Sequence, residues 1–299
     1  MPERTSKDQL KPLPCRRFGR TNEVVPSLGL GTAPAGMGLP DDRAVALYHA
    51  AIDLGVTYLD TAPAYGRAQV QLGKVMPSRR DEVFLATKVN VEDGKGAIES
   101  LQESLRDLNT DRVDLAYVHA LGGKNPDTVL SAEGALEGLV EARRRGLTRY
   151  VGFTAHNAPW KCVKALREAE VDAVMLAMNL VDRYTYDFEG RVLPEACDRD
   201  VGVAAMKVFG GAPGMVYEEP VQSKLALSCG YDHRTALRYA LGLPGVALAV
   251  VGVYTEEELR LSLSWACDFE PLSTDERRET EHFGRKLARD WGPHYGSVV

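Results

Sequence analysis

The sequence predicts a closed (β/α)8 TIM barrel with an extra C-terminal helix, and three observations support it. Short β-rich runs alternate with longer segments of helical period along the whole chain. Eight such units fit within about 250 residues, the usual size of a closed parallel barrel and more units than an open doubly wound sheet accounts for. The runs also end in ionisable residues, as barrel strands that face an active site do. In order, strands are expected near 27–32, 57–62, 83–89, 113–119, 148–154, 173–179, 202–209 and 247–253. The intervening helices are amphipathic: Ile98, Leu101, Leu105 and Leu108 recur every three or four residues and form one apolar face, with charge on the other. The reading is one domain over 1–299, with the barrel covering about 27–270. Residues 1–15 form a polar tail, followed by an irregular or hairpin segment before the first barrel strand. Residues 271–299 form a C-terminal extension whose helix, over 273–290, opens with a capping box at Ser273 and Glu276.

Composition narrows the function classes. The 299 residues are 44% hydrophobic and 26% charged with a net charge of −6, which disfavours nucleic acid and anionic membrane as partners. The opening MPERTSKDQL is polar, and no run reaches the roughly 18 apolar residues of a membrane span, so a cytoplasmic location is expected. Cys15, Cys162, Cys197, Cys229 and Cys267 are scattered without a CxxC pair and read as reduced structural thiols.

The segment DTAPAYG over 60–66 ends a strand with the carboxylate of Asp60 and presents Tyr65 five residues later. Lys88 and His119 close the next two strands, so all four side chains fall on one rim. Neighbouring strands lie about 4.8 Å apart, which allows Asp60 to hold Lys88 as an ion pair. A phenol with an ordinary pKa near 10 is a poor acid at neutral pH. The expectation is that the Lys88 ammonium lowers Tyr65 by about one to three units and makes it a proton donor. Taken singly, Asp60 with Lys88 reads equally as a stabilising pair, and His119 as a hydrogen-bonded barrel histidine. Their convergence favours a shared catalytic site.

These residues match in kind, order and spacing the Asp, Tyr, Lys and His of the aldo-keto reductase superfamily, which the chain resembles over about 16–270. GLGTA (29–33), ESLQESLRDLNTDRVDLAYVHA (99–120), GLTRYVGFTAH (146–156) and TALRYALGLPGVALAVVGV (235–253) are similar to family segments. The GFTAH and Ala-Met-Lys stretches resemble a bacterial-type branch that reads Gly-Phe-Ser-Gly-His and Ala-Met-Lys. The resemblance implies reduction of a small-molecule aldehyde, ketone or sugar by NADPH or NADH, or the reverse, without a metal. Tyr65 would then be the proton donor, and His119 would hydrogen-bond the same oxygen.

For the cofactor, the resemblance implies Gly31, Thr32, Thr154, His156, Met175, Met206, Lys207, Phe209, Gly210, Gly211, Gly252, Tyr254, Thr255 and Glu258. A Rossmann reading of GLGTAP fails, because the third glycine and the immediate helix are missing. The small residues at 210–211 permit backbone approach to a pyrophosphate, and a tight turn explains them equally well. Strand alternation leaves Lys207 free to face either the cofactor or the surrounding helices. Tyr254 stands where an Arg or Lys is frequent and Glu256, Glu257 and Glu258 follow, so NADH and NADPH stay open. Pro34, Trp160, Tyr184 and Tyr186 are candidate apolar walls of the substrate pocket. Two other readings compete: a cofactor-binding regulatory subunit of the same fold with slow turnover, and a Schiff-base aldolase using Lys88.

Overall fold

The computed structural model describes residues 11–228 and 232–298; Cys229 and most of the expected N-terminal tail lie outside the described residues. A short antiparallel hairpin, β1 (Cys15–Arg17) and β2 (Val24–Pro26), comes first. Eight parallel strands then close a barrel: β3 (Leu28–Gly31), β4 (Tyr58–Asp60), β5 (Phe84–Val89), β6 (Val113–Val118), β7 (Thr148–Ala155), β8 (Ala173–Ala177), β9 (Gly202–Met206) and β10 (Val246–Gly252). Each strand pairs with the next in sequence, and β10 returns to β3. All eight expected strands are present.

Two strands stop earlier than their apolar runs suggest, and the backbone shows why. The run 202–209 ends as strand at Met206 because Lys207 takes a left-handed conformation, φ 57°. The run 173–179 ends at Ala177, and Asn179 then accepts the backbone N–H groups of Val181 and Asp182 through its side chain, at 3.0 and 2.8 Å, turning the chain.

Barrel strands alternate between an inner and an outer face, so the outer residues pack under the helices while the inner ones fill the barrel. The inner set includes Tyr58, Phe84, Leu115, Tyr117, Met175 and Met206. Phe18, from the turn of the N-terminal hairpin, is fully buried against this set from below. Its ring meets Tyr58 and Phe84 edge-on at 6.0 Å each, while those two rings stack at 5.2 Å. Above them, the hydroxyls of Tyr58 and Tyr117 lie 3.0 Å apart, each satisfying the other inside an otherwise apolar interior.

The helix Gly94–Asp107 begins at Asp93, whose carboxylate accepts the N–H of Gly96 at 2.8 Å, and buries Ala97, Leu101 and Leu105. The expected C-terminal helix runs Thr274–Trp291 and carries the Ser273/Glu276 capping box. Beyond it, residues 292–298 fold back over the rim. There the Tyr295 hydroxyl donates to Gly210 O at 2.9 Å, and the Tyr186 hydroxyl donates to Gly296 O at 3.1 Å. Among the described residues, no helix is long and apolar enough to cross a membrane.

Phe18 closes the lower mouth with one large side chain and has no polar partner to rearrange. Phe18→Ala is therefore expected to lower unfolding stability by about 3–5 kcal/mol in a urea titration, with kcat of the folded protein unchanged because the plug lies at the end opposite the ionisable rim.

Candidate active site

Three neighbouring strands deliver the site by alternation. Tyr58 and Asp60 on β4, Phe84, Ala86 and Lys88 on β5, and Leu115, Tyr117 and His119 at the end of β6 are two residues apart along each strand and share the inner face. Asp60 pairs in register with Ala86, and Lys88 with Tyr117, so Lys88 lies one layer above Asp60 and reaches back over it. Its Nζ donates to Asp60 Oδ1 at 2.6 Å, Asp60 Oδ2 at 2.7 Å and the Thr61 carbonyl at 2.9 Å. Both side chains are buried, Lys88 completely. Three acceptors engage all three N–H groups of an ammonium, so Lys88 is charged and has no lone pair for a carbonyl. That geometry works against the Schiff-base reading.

Tyr65 follows in the turn after β4, where its N–H donates to Ala62 O at 3.0 Å and its carbonyl accepts from Ala68 at 3.0 Å. Gly36 lets the helix Ala33–Gly38 press on this turn, since a Cβ there would sit 2.4 Å from both Tyr65 O and Ala68 Cβ. The Tyr65 ring lies over Lys88, 4.6 Å from Nζ to the centroid, and meets the His119 ring edge-on at 6.0 Å. Neither the Tyr65 hydroxyl nor a His119 nitrogen has a hydrogen-bond partner among the described residues, so both are free to meet a ligand.

The electrostatics correct one expectation. Tyr65 is not lowered by Lys88. Burial raises its pKa well above the usual value of 10, the charge of Asp60 adds to that, and Lys207 opposes it. Lys88 directs its N–H groups at Asp60 and Thr61 and offers Tyr65 only the ring-facing side of the ammonium. Burial likewise pushes Asp60 up and Lys88 down against the opposing pull of the partner charge. His119 falls to about 3, mainly through burial and then through the charges of Lys88, Lys124 and Lys207, so it is neutral at physiological pH. Burial also pushes His156 well below its ordinary value.

A cleft of about 380 Å³ runs from Asp60 and Tyr65 across the ends of β9 and β10 to Trp265, within the size range of small-molecule and cofactor sites. Of the expected cofactor residues, Gly31, Met175, Met206, Lys207, Phe209, Gly211, Gly252, Tyr254 and Glu258 line it. Others sit off its wall with their polar groups committed elsewhere. The Thr32 hydroxyl donates to Asp60 O at 3.0 Å, and that of Thr154 accepts from Ala120 N at 2.9 Å. The Thr255 hydroxyl accepts from Glu258 N at 3.1 Å and caps the helix Glu256–Cys267. Gly210, at φ 79°, makes room for Trp291, which a Cβ would meet at 2.3 Å. His156 packs against Tyr295, 5.5 Å between rings. Pro34 lines the cleft. Trp160 is exposed, Tyr184 packs beside Arg183 and Arg285, and Tyr186 anchors the C-terminal segment.

Lys207 faces the cleft and donates to the Tyr217 hydroxyl at 2.6 Å. Tyr217, His233 and Trp265 complete the wall and escaped the sequence reading, because they come from a loop and from helix turns with no strand-end rule. Met175 and Met206 offer an apolar surface, and Gly31, Gly211 and Gly252 a backbone surface, that could hold a nicotinamide dinucleotide.

Known proteins give the same grouping. Residues 27–225 match the model of the aldo/keto reductase family. The chain is 33% identical over 209 residues to methylglyoxal reductase DkgB of Salmonella typhi, covering 68% of this chain and 73% of that one. It is 27% identical over 330 aligned positions to pyridoxal 4-dehydrogenase of Microbacterium luteolum, covering 87% and 94%. The fold superposes, with a TM-score of 0.71 and 29% identity over 87% of this chain and 97% of the other, on a Pseudomonas aeruginosa protein assigned to the aldo-keto reductases. A closed barrel with this rim and these relatives makes the chain a member of the aldo/keto reductase family, an oxidoreductase acting between carbonyls and alcohols.

Proposed function

We propose that the protein interconverts a small-molecule aldehyde, ketone or sugar and its alcohol with NAD(P)H, with Tyr65 as the proton donor. The observation that carries this is the unpartnered Tyr65 hydroxyl, held at the inner end of the cleft over a buried ammonium that Asp60 fixes in place. Bound NAD(P)H supplies a hydride to the carbonyl carbon.

The chain's own groups complete the reaction. The C=O π electrons move onto oxygen as the hydride arrives, and Tyr65 Oη–H passes its proton to that oxygen, so carbonyl, hydride and proton balance to an alcohol. Burial keeps Tyr65 protonated until an alkoxide, a stronger base than a phenolate, forms beside it. The phenolate left behind lies within reach of the charge of Lys207, which favours the anion. Neutral His119 retains one N–H to donate to the substrate oxygen, an electrostatic contribution that a low-dielectric site strengthens. Asp60 acts here as a positioning residue, holding Lys88 through both carboxylate oxygens.

Tyr65→Phe is expected to lower kcat by about 10²–10⁴-fold, the usual contribution of a positioned acid, while leaving the dissociation constant for the cofactor unchanged. Turnover of a carbonyl panel by Tyr65→Phe at the wild-type rate would sink the reading. Lys88→Met leaves Asp60 buried and unpaired. It is expected to cost about 3–5 kcal/mol in denaturant unfolding together with activity, and the double variant Asp60→Asn with Lys88→Met should lose less stability than the sum of the two single losses.

The pH dependence has a defined sign. Unfolded histidine titrates at the ordinary value of 6.5 and folded His119 at about 3, so the unfolded chain binds more protons throughout that interval. The stability associated with neutral His119 is therefore complete above about 6.5 and declines as pH falls toward 3, by at most about 1.4 kcal/mol per pH unit per histidine. Urea midpoints for wild type and His119→Asn at pH 7, 5.5 and 4.5 should show a shallower acid slope in the variant. The kcat of wild type should carry no inflection from His119 between pH 5 and 8.

A further inference from the structure

A buried carboxyl and an imidazole meet where the C-terminal segment folds over the rim. Asp182 opens the short turn Asp182–Tyr184 after β8 and is 1% exposed, and His294 faces it from the segment with Nε2 3.6 Å from Asp182 Oδ1. Both atoms are buried, yet neither has a hydrogen-bond partner among the described residues, which is rare for buried polar groups. The other two polar atoms of the pair are committed. Asp182 Oδ2 accepts from Asn179 Nδ2 at 2.6 Å, and His294 Nδ1 lies 3.1 Å from the carbonyl oxygen of Gly292. A carbonyl only accepts, so Nδ1 carries the ring proton and a neutral His294 turns the lone pair of Nε2 toward Asp182. Two acceptors then face each other in a buried place unless one proton lies between them.

The residue after His294 carries the pair's position to the cleft. Tyr295 donates its N–H to the Tyr186 hydroxyl at 2.7 Å and its own hydroxyl to Gly210 O at 2.9 Å. Gly210 belongs to the loop after β9, in which Phe209, Gly211 and Ala212 line the cleft. Three other ionisable groups face the pair. Lys224, whose ammonium lies 4.8 Å over the Trp291 ring, favours the carboxylate form of Asp182 and disfavours a charged His294. Tyr186 and Tyr295 are phenols that burial and the Asp182 charge push upward, so both stay protonated through the neutral range.

We infer that Asp182 and His294 share a single proton between Oδ1 and Nε2, and that this proton latches the C-terminal segment, through Tyr295 and Gly210, across the entrance. In place, Asp182 is pushed up to about 7 chiefly by burial, and burial holds His294 below 6.5. Released into water, the two groups titrate at their ordinary 3.8 and 6.5. Between these values the pair carries one proton in either state, on Asp182 when the segment is held and on His294 when it is free. Above 6.5 the free pair loses that proton first, and the held pair keeps its own until pH passes about 7. The latch is therefore complete on the acid side of neutrality and weakens as pH rises through about 7. It acts independently of which cofactor or substrate occupies the cleft.

Hydrogen exchange of the full chain at pH 5.5 and 8.5, corrected for the intrinsic rate at each pH, reads the latch directly. Peptides covering 292–298 and 207–212 should both lose about threefold in protection at the higher pH, the factor that the interval from 6.5 to about 7 sets. Asp182→Asn keeps an oxygen for Asn179 and offers His294 Nε2 an N–H that does not titrate, so its protection should be the same at both pH values. His294→Phe removes the acceptor and keeps a ring, so both peptides should exchange faster at pH 5.5 while the barrel strands stay protected. Equal protection at pH 5.5 and 8.5 in wild type overturns the shared proton. A threefold response that survives in Asp182→Asn overturns its assignment to this pair. A response confined to 292–298, with 207–212 unmoved, overturns the latch on the entrance.

Discussion

Asp60 and Lys88 face each other buried inside the barrel, and the rest of the site takes its geometry from that fact. An ammonium enclosed by a barrel needs three acceptors at fixed directions, and the carboxylate on the adjacent strand supplies two of them. Strand register sets the offset between the two residues, so the pair also records the closure of the barrel at β4 and β5. Above it the Tyr65 ring lies 4.6 Å from the ammonium, and the His119 ring meets it edge-on. Moving either charge would remove the floor on which the Tyr65 ring lies.

The strands and the acid-base group were readable because both obey short periodicities. Inner positions recur every second residue, and ionisable groups at strand ends converge on one rim, so Asp60, Lys88 and His119 announce themselves one strand at a time. The sign of the field on Tyr65 was not readable. Proximity to Lys88 can be inferred from spacing, but the direction in which the lysine points its N–H groups, and the weight of burial against it, depend on packing that spacing does not encode. The side-chain direction of Lys207 was open for a related reason: a left-handed backbone at a lysine breaks alternation, and the sequence carries no mark of it.

Family likeness placed hydroxyls and glycines near the cleft without saying what they bond. Thr32 and Thr154 use their oxygens to tie strand ends to neighbouring backbone, and Gly210 admits the Trp291 ring. Those positions shape the rim while the wall itself is made by side chains such as Tyr217, His233 and Trp265, drawn from a loop and from helices that the strand-end rule does not reach. The two ends of the cleft consequently differ in character. The end at Asp60 and Tyr65 follows the fold, and the far end is set by what the helix Glu256–Cys267 presents along the cleft.

The C-terminal segment crosses the mouth, with Tyr295 held by Gly210 and Tyr186 and lying against His156. The N-terminal hairpin closes the opposite end, where Lys11 is paired with Asp268 at 2.9 Å. The molecule is therefore polar in the engineering sense. A tag, fusion partner or surface tether joined after residue 298 emerges beside the entrance and competes with whatever must enter, whereas one joined ahead of Lys11 leaves the entrance facing solution. Immobilised preparations of the two orientations present opposite ends of the same barrel to the reaction mixture.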